Sequence, residues 1–212
     1  MSTLAGRIEE RVGGRRTAVV GVGNRLRGDD GAGSRIAERL RAAGHALAID
    51  AETVPENFLD ALLAAAPEQV LFVDAVDHGA AAGECCLVPV AELAGRASST
   101  HAPSLRLLAG ILEGRGTSCW VLGIQPGTTE VGAGPSPAVA RAIDEIVGAL
   151  ARAAGARVGA AGARPGPTAP RPGPTAPRPG PTIAARAAVP MTIAPAPEMA
   201  GGSGPAGGAR RG

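Results

Sequence analysis

Three places along the chain carry side chains that could do chemistry together. Asp29 and Asp30 are adjacent in the stretch GVGNRLRGDDGAG (21–33), Asp74 ends the apolar run VLFVD (70–74), and His101 lies in the polar loop SSTHAPS (98–104). Carboxylate oxygens and an imidazole nitrogen suit a borderline divalent metal, and a set of two oxygens and one nitrogen leaves coordination positions open for a substrate. Each residue alone has a plainer explanation. One acid at the start of a helix is a cap, favoured by the helix dipole. A lone loop histidine is ordinarily surface. Two adjacent acids exceed what a cap needs, so the reading is that Asp29 caps and Asp30 points to the site. Asp74 would be stranded at the end of an apolar run unless it projects into a cleft.

The glycine-rich loop invites a phosphate-binding reading, and the residues argue against it. A dinucleotide fingerprint places glycines in the pattern GxGxxG. Gly21 and Gly23 fit, but the third position is Leu26. An acid pair where a pyrophosphate would sit repels it. The chain also has no lysine, its 21 basic residues all being Arg. This removes the P-loop lysine, a pyridoxal Schiff base and the usual haloacid-type phosphatase site. The haloacid nucleophile pattern DxD is absent too, since Asp77 follows Asp74 by three residues, and Asp77 and His78 read as loop residues. His45, after the first helix, reads as surface, and Trp120 as core.

The elements that must position these residues alternate between strand and helix. Thr17–Val22 is a short apolar run that predicts the first strand, and residues 31–43 a helix with Ile36 and Leu40 inward. Residues 46–54 read as a second strand. Residues 55–69 form a helix with Phe58, Leu59, Leu62, Leu63 and Ala66 inward. The near-continuous apolar run 70–77 marks a central parallel strand. Residues 84–90 are a strand whose Pro89 puts it at an edge or end. Residues 104–115 are amphipathic, and 118–126 form the last strand. Ser136 as N-cap and Pro137 as first helical residue open the final helix, with Val139, Ile143, Ile146, Val147 and Leu150 buried. The fold class that follows is α/β: a three-layer sandwich with a mostly parallel, twisted sheet of about five strands and helices on both faces. In such sheets ligands bind outside the carboxyl ends of the strands.

Composition divides the chain. Residues 1–150 hold 13 Arg against 18 acids, a net −5, whereas residues 151–212 hold 8 Arg against one Glu, a net +7. A mildly acidic folded part argues against nucleic-acid binding. The segment from Arg164 repeats RPGPTAP almost three times, and proline at that density forbids helix and sheet. The expected organisation is a lead over residues 1–15, a domain over 16–156 and a disordered Pro/Gly/Ala/Arg-rich tail over 157–212. Three cysteines make no disulfide framework, and Cys85, Cys86 and Cys119 read as small hydrophobes. With no signal-peptide pattern at the start and no apolar run near the ~20 residues of a membrane span, a cytoplasmic protein without membrane insertion is expected.

The stretches GVGNRLRGDDGAG (21–33), VPENFLDAL (54–62), VLFVDAVDHGAAAGE (70–84), STHAPSL (99–105) and VLGIQP (121–126) carry a resemblance. In order and spacing the sequence resembles the endopeptidases that mature the large subunit of nickel–iron hydrogenases, over roughly residues 16–152. The PEN and GIQP pieces look most like the formate-hydrogenlyase-type branch. The resemblance implies an aspartic-type endopeptidase that removes a C-terminal extension from the large-subunit precursor. The precursor already carries nickel, which acts as a recognition tag. It places metal binding and catalysis on Asp30, Asp74 and His101, implies nickel, carried by the substrate, as the cofactor, and suggests a monomer. The chemistry would be polarisation of the scissile carbonyl or delivery of an activated water. No Ser–His or Cys–His dyad falls at a motif position. Two rivals are a non-catalytic α/β protein that binds a hydrogenase subunit without cutting it and an α/β nucleotide-binding protein. The filled trio disfavours the first, and the acid pair the second.

The tail yields a prediction. Its few scattered Ile, Val and Met cannot offset an ordering entropy of about 1–2 kcal/mol per residue. A chain ending at Ala156 should keep its melting temperature and its processing activity at moderate salt. Unfolding or loss of cleavage on truncation would refute a disordered tail beginning at residue 157.

Overall fold

The computed structural model describes residues 3–93 and 99–160, with side chains described as far as residue 155. The tail expected from residue 157 lies outside them, apart from the end of the last helix. Five strands, β1 (Thr17–Val22), β2 (Ala48–Glu52), β3 (Gln69–Ala75), β4 (Cys85–Pro89) and β5 (Ser118–Ile124), form one sheet in the order β2-β1-β3-β5-β4. The pairs β1–β2, β1–β3 and β3–β5 are parallel, and only β4 runs antiparallel, against β5. The α/β class, the five strands and the edge position of the strand containing Pro89 agree with the sequence.

Among the described residues five helices cover the sheet: α1 (Leu4–Val12), α2 (Ala32–Ala42), α3 (Leu59–Ala65), α4 (Ala102–Glu113) and α5 (Pro137–Ala160). Alternation along the strands divides the core into two layers. On one face Val19, Leu71, Val73, Leu122 and Ile124 meet Ile8 and Val12 of α1, Ile36 and Leu40 of α2, and Val139, Ile143 and Ile146 of α5. On the other, Val20, Phe72 and Val121 meet Leu62 of α3 and Leu105, Leu108 and Leu112 of α4. Strands β1 and β3 are buried along almost their whole length, as central parallel strands must be.

Three expectations change. The lead is a helix of the core. Thr3 caps it through Oγ1, which accepts from Gly6 N at 3.1 Å. Ile8 and Val12 are buried, and the Arg11 guanidinium lies 3.6 Å from the centroid of the Trp120 ring. Trp120 is accordingly half-buried under α1 rather than enclosed in the core. The stretch 55–69 is not one helix. A 3-10 turn over Pro55–Phe58 precedes α3, which stops where Ala66 adopts φ 44°. Within it Leu62 is fully buried, and Phe58, Leu59 and Leu63 pack from the side.

The chain leaves β1 toward β2 on one side and returns to β3 on the other. Connections at the carboxyl ends therefore diverge between β1 and β3, which opens a crevice there. Asp74, near the end of β3, and the loop after β1 both stand at this point. Among the described residues no helix is long and apolar enough to cross a membrane.

The burial of α1 gives a direct test. Ile8→Ala removes a fully buried side chain and should cost about 2–5 kcal/mol of stability, measured by denaturant unfolding. A near-neutral effect would restore residues 1–15 to a lead outside the domain.

Candidate active site

The loop after β1 is shaped by glycines at close approaches. Gly23 has φ 130°, and a Cβ there would lie 1.8 Å from the Asp30 carbonyl oxygen. A Cβ on Gly21 would lie 2.0 Å from the Gly33 carbonyl oxygen, so α2 packs directly on the backbone of β1. Buried Ser34 ties helix to loop by donating Oγ–H to the Gly23 carbonyl at 2.8 Å. The glycines of the GVGNRLRGDDGAG stretch thus serve packing and turning, and need no phosphate to explain them.

The acid pair is split between two tasks, though Asp29 is not the expected cap. The residue preceding α2 is Gly31, and no side chain caps either α2 or the 3-10 turn Gly28–Gly31. Asp29 is instead fully buried, and its carboxylate accepts three backbone N–H groups from the segment after β5. Its Oδ2 accepts from Gly127 at 2.8 Å and Thr128 at 3.0 Å, and its Oδ1 from Ser136 at 2.5 Å. Burial pushes its pKa up, but the hydrogen bonds from Ser136, Thr128 and Gly127 outweigh burial and hold it below the usual carboxylate value. Asp30 is left half-exposed, with Oδ2 accepting from Asn24 N at 3.0 Å.

Asp74 is fully buried and paired. Its Oδ1 lies 3.2 Å from His101 Nδ1, and its Oδ2 accepts the Ser99 hydroxyl at 2.5 Å. Ser99 Oγ in turn accepts from His101 N at 3.0 Å, which sets the histidine at the entrance to α4. The hydrogen bond to Asp74 raises the His101 pKa against the opposing effect of burial, and the charges of Asp74, Asp30 and Glu56 add to the rise. Asp30, Asp74 and His101 therefore share one electrostatic environment at the carboxyl edge of the sheet. A carboxylate on Nδ1 fixes the ring and leaves Nε2 as the outward nitrogen.

The arrangement limits the chemistry. Among the described residues no three His, Cys, Asp or Glu side chains converge closely enough to hold a metal ion by themselves. Ser99 gives its proton to Asp74, so the carboxylate, not the imidazole, stands between hydroxyl and ring. That is the wrong order for a serine nucleophile activated by histidine. Burial pushes the Cys85 and Cys119 thiols up to about 12, and it raises Cys86 as well. All three remain protonated and inert, as small hydrophobes do.

Three participants were not visible in the sequence as site residues. Ser99 was one of several loop hydroxyls. Glu56 sits in the 3-10 turn of the PEN piece and acts on His101 through its charge. Gln125 of the GIQP piece braces the neighbouring loop: its Oε1 accepts from His78 N at 2.9 Å and Ala80 N at 3.2 Å, and its Nε2 donates to Asp77 at 3.1 Å. Asp77 and His78 are loop residues, as read. His45 is half-buried, and burial lowers its pKa, so it is not the free surface histidine that was expected.

The chain has clear relatives. The family model HycI, described as hydrogenase maturation protease, matches residues 32–153. Asp74 and His101 fall within that match, and Asp30 lies just before it. Over 108 residues the chain is 37% identical to the hydrogenase 3 maturation protease of Escherichia coli (strain K12), covering 50% of this chain and 69% of that protein. It is similar to the crystal structure of a NiFe hydrogenase maturation protease HycI from Thermococcus kodakarensis KOD1. There the identity is 30%, the TM-score is 0.64, and 69% of this chain and 97% of that one are covered. The solution structure of an endopeptidase HycI from Escherichia coli is 28% identical with a TM-score of 0.56, covering 62% of this chain and 86% of that one.

The Asp29 staple yields the next prediction. Asp29→Asn keeps the shape but offers one acceptor oxygen and an amide NH₂ where three N–H groups converge. The expected loss is about 2–3 kcal/mol, read as a Tm lower by roughly 5–10 °C. The folded pKa lies below its ordinary value of 3.8. The stabilisation from the charge is therefore complete above that value and is lost as pH falls through the lowered folded pKa. The gap between wild type and variant should narrow in that acid range. Equal melting temperatures at neutral pH would show that the staple contributes nothing.

Proposed function

The chain belongs to the hydrogenase maturation protease family, and from that premise we propose that it removes the C-terminal extension of a nickel-loaded hydrogenase large-subunit precursor. The observation that carries this reading is the Asp74–His101 pair at the sheet's switch point, 3.2 Å between Oδ1 and Nδ1, with the Asp30 charge acting on the same ring.

In this reading the nickel is part of the substrate. It arrives with ligands of its own, so the peptidase need add only a few donors. Asp30 keeps one carboxylate oxygen without a hydrogen bond among the described residues, and His101 keeps Nε2. These two atoms are the open donors. Asp74 holds the ring through Nδ1 and has lone pairs left to complete the trio expected from the sequence. A nickel ion engaged there can polarise the scissile carbonyl or deliver a water to it.

The aspartic-type label does not fit this arrangement. Aspartic proteases depend on two carboxylates that share a proton. Asp74 is paired with a hydroxyl and an imidazole, and Asp29 is held by the N–H groups of Gly127, Thr128 and Ser136.

The test is one assay with two variables, following long and short large subunit on a gel. Wild type should cut the nickel-loaded precursor and leave the nickel-free precursor intact. Asp30→Asn, which keeps size but removes charge, should slow cleavage of the loaded precursor by at least about 100-fold, on the order of 3 kcal/mol of transition-state stabilisation, with Tm unchanged. Efficient cutting of nickel-free precursor would rule out the metal tag, and full activity of Asp30→Asn would remove Asp30 from the site.

A further inference from the structure

We propose that Leu26 and Val131 form a preformed apolar dock for the precursor polypeptide beside the site, a reading that rests on the function proposed above. Four large apolar side chains are prominently exposed among the described residues: Val131 at 78%, Leu26 at 71%, Leu107 at 62% and Val54 at 41%. A single exposed leucine needs no explanation. Their placement does. Leu26 is on the loop that carries Asp30, Val131 follows β5, and Val54 follows β2, so three of the four stand on loops leaving the carboxyl edge of the sheet.

The backbone holds the two most exposed of them together. Gly132 N donates to the Leu26 carbonyl at 2.8 Å, Gly28 N to the Ala133 carbonyl at 3.2 Å, and Asp29 N to the Thr128 carbonyl at 2.9 Å. The Asp29 carboxylate closes the same pair of segments from below, through Gly127, Thr128 and Ser136. Asn24 Oδ1 accepts from Leu26 N at 2.9 Å and steadies the turn further. Leu26 and Val131 are thus displayed by two stapled loops. Ordering them is accomplished on folding, so a partner does not meet that entropy cost on binding.

The occupant follows from position and charge. A substrate chain that brings its scissile bond to Asp30 must pass the loop on which Asp30 sits. Of the two arginines adjoining Leu26, Arg25 is already engaged by Glu38 at 2.9 Å and by Asp50. Exposed Arg27 and Glu130 flank the two apolar side chains. An apolar centre with a charged rim is the make-up of a protein-binding patch, and it suits apolar side chains of the precursor close to the cut. Such contacts are made equally before and during the reaction, so they act on KM rather than kcat.

The test compares Leu26→Asp, Val131→Asp and Leu107→Asp, the last on the outer face of α4 as a control. The first two should raise KM for the nickel-loaded precursor about tenfold, or 1.4 kcal/mol, with kcat within about twofold and Tm unchanged, while Leu107→Asp leaves KM as it is. If an Asp variant fails to fold, Leu26→Ser and Val131→Ser replace it, with a smaller KM rise expected. Unchanged KM in the Leu26 and Val131 variants, or an equal rise in all three, would overturn the dock. So would a change in oligomeric state on sizing with KM unaltered, because the patch would then join two copies of this chain. Wild-type cleavage with inactive Asp30→Asn keeps the proposed function standing in each of those cases, so the two can fail separately.

Discussion

A buried carboxylate binds together the loops on which the candidate site is built. Asp29 sits at zero exposure with three backbone N–H groups on its two oxygens, all from the segment that joins β5 to α5. Those donors lie in an irregular connection and have no ladder to enter. Buried and unpartnered, they would each cost on the order of 1–3 kcal/mol. A single ionised side chain satisfies all three, and the loops after β1 and β5 become one rigid piece. Asp30, next in sequence, is carried by that piece and keeps one carboxylate oxygen without a hydrogen bond among the described residues. The acid pair that a cap could not explain is therefore one structural acid and one free acid.

The same division of labour recurs around Asp74. Its position at the end of the central strand is set by hydrophobic burial of β3, which leaves the carboxylate where the sheet opens. Two groups from the start of α4 then compensate its desolvation, the Ser99 hydroxyl and the His101 ring. Neither a serine nucleophile nor a carboxylate dyad results. What results is an imidazole of fixed orientation with raised basicity beside a second acid. Such a set is suited to engaging a cation that a partner brings.

Distant packing keeps this edge in place. Helix α1 covers β5 through Arg11 on Trp120, and Ile8 and Val12 join the layer under α2 and α5. Helix α5 begins at Ser136, whose backbone N–H is held by Asp29 and whose Oγ accepts from Val139 N at 3.4 Å. One residue thus starts the last helix and closes the site loop. Gln125 performs a similar service for residues 77–80.

Local rules were enough for a good part of this. The apolar runs and turn residues determined five strands, their α/β alternation, the edge position of β4, the Ser136–Pro137 helix start and the three places that hold Asp30, Asp74 and His101. Asp30 and His101 stand on the loops so placed, and Asp74 near the end of β3 itself; these features follow from periodicity, proline geometry and capping, which act within a few residues. What escaped were interactions between segments far apart in the chain. Asp29 reads as a cap because its partners, Gly127, Thr128 and Ser136, are about a hundred residues away. Ser99 and Glu56 look like ordinary loop residues until folding sets one against Asp74 and the other in reach of His101. Residues 1–15 read as a lead outside the domain because nothing in them announces which sheet face Ile8 will meet. Residue type and spacing decided which side chains could act, and only the tertiary structure decided which acid is buried and which is left free, because desolvation and hydrogen-bond satisfaction depend on what the rest of the chain brings alongside.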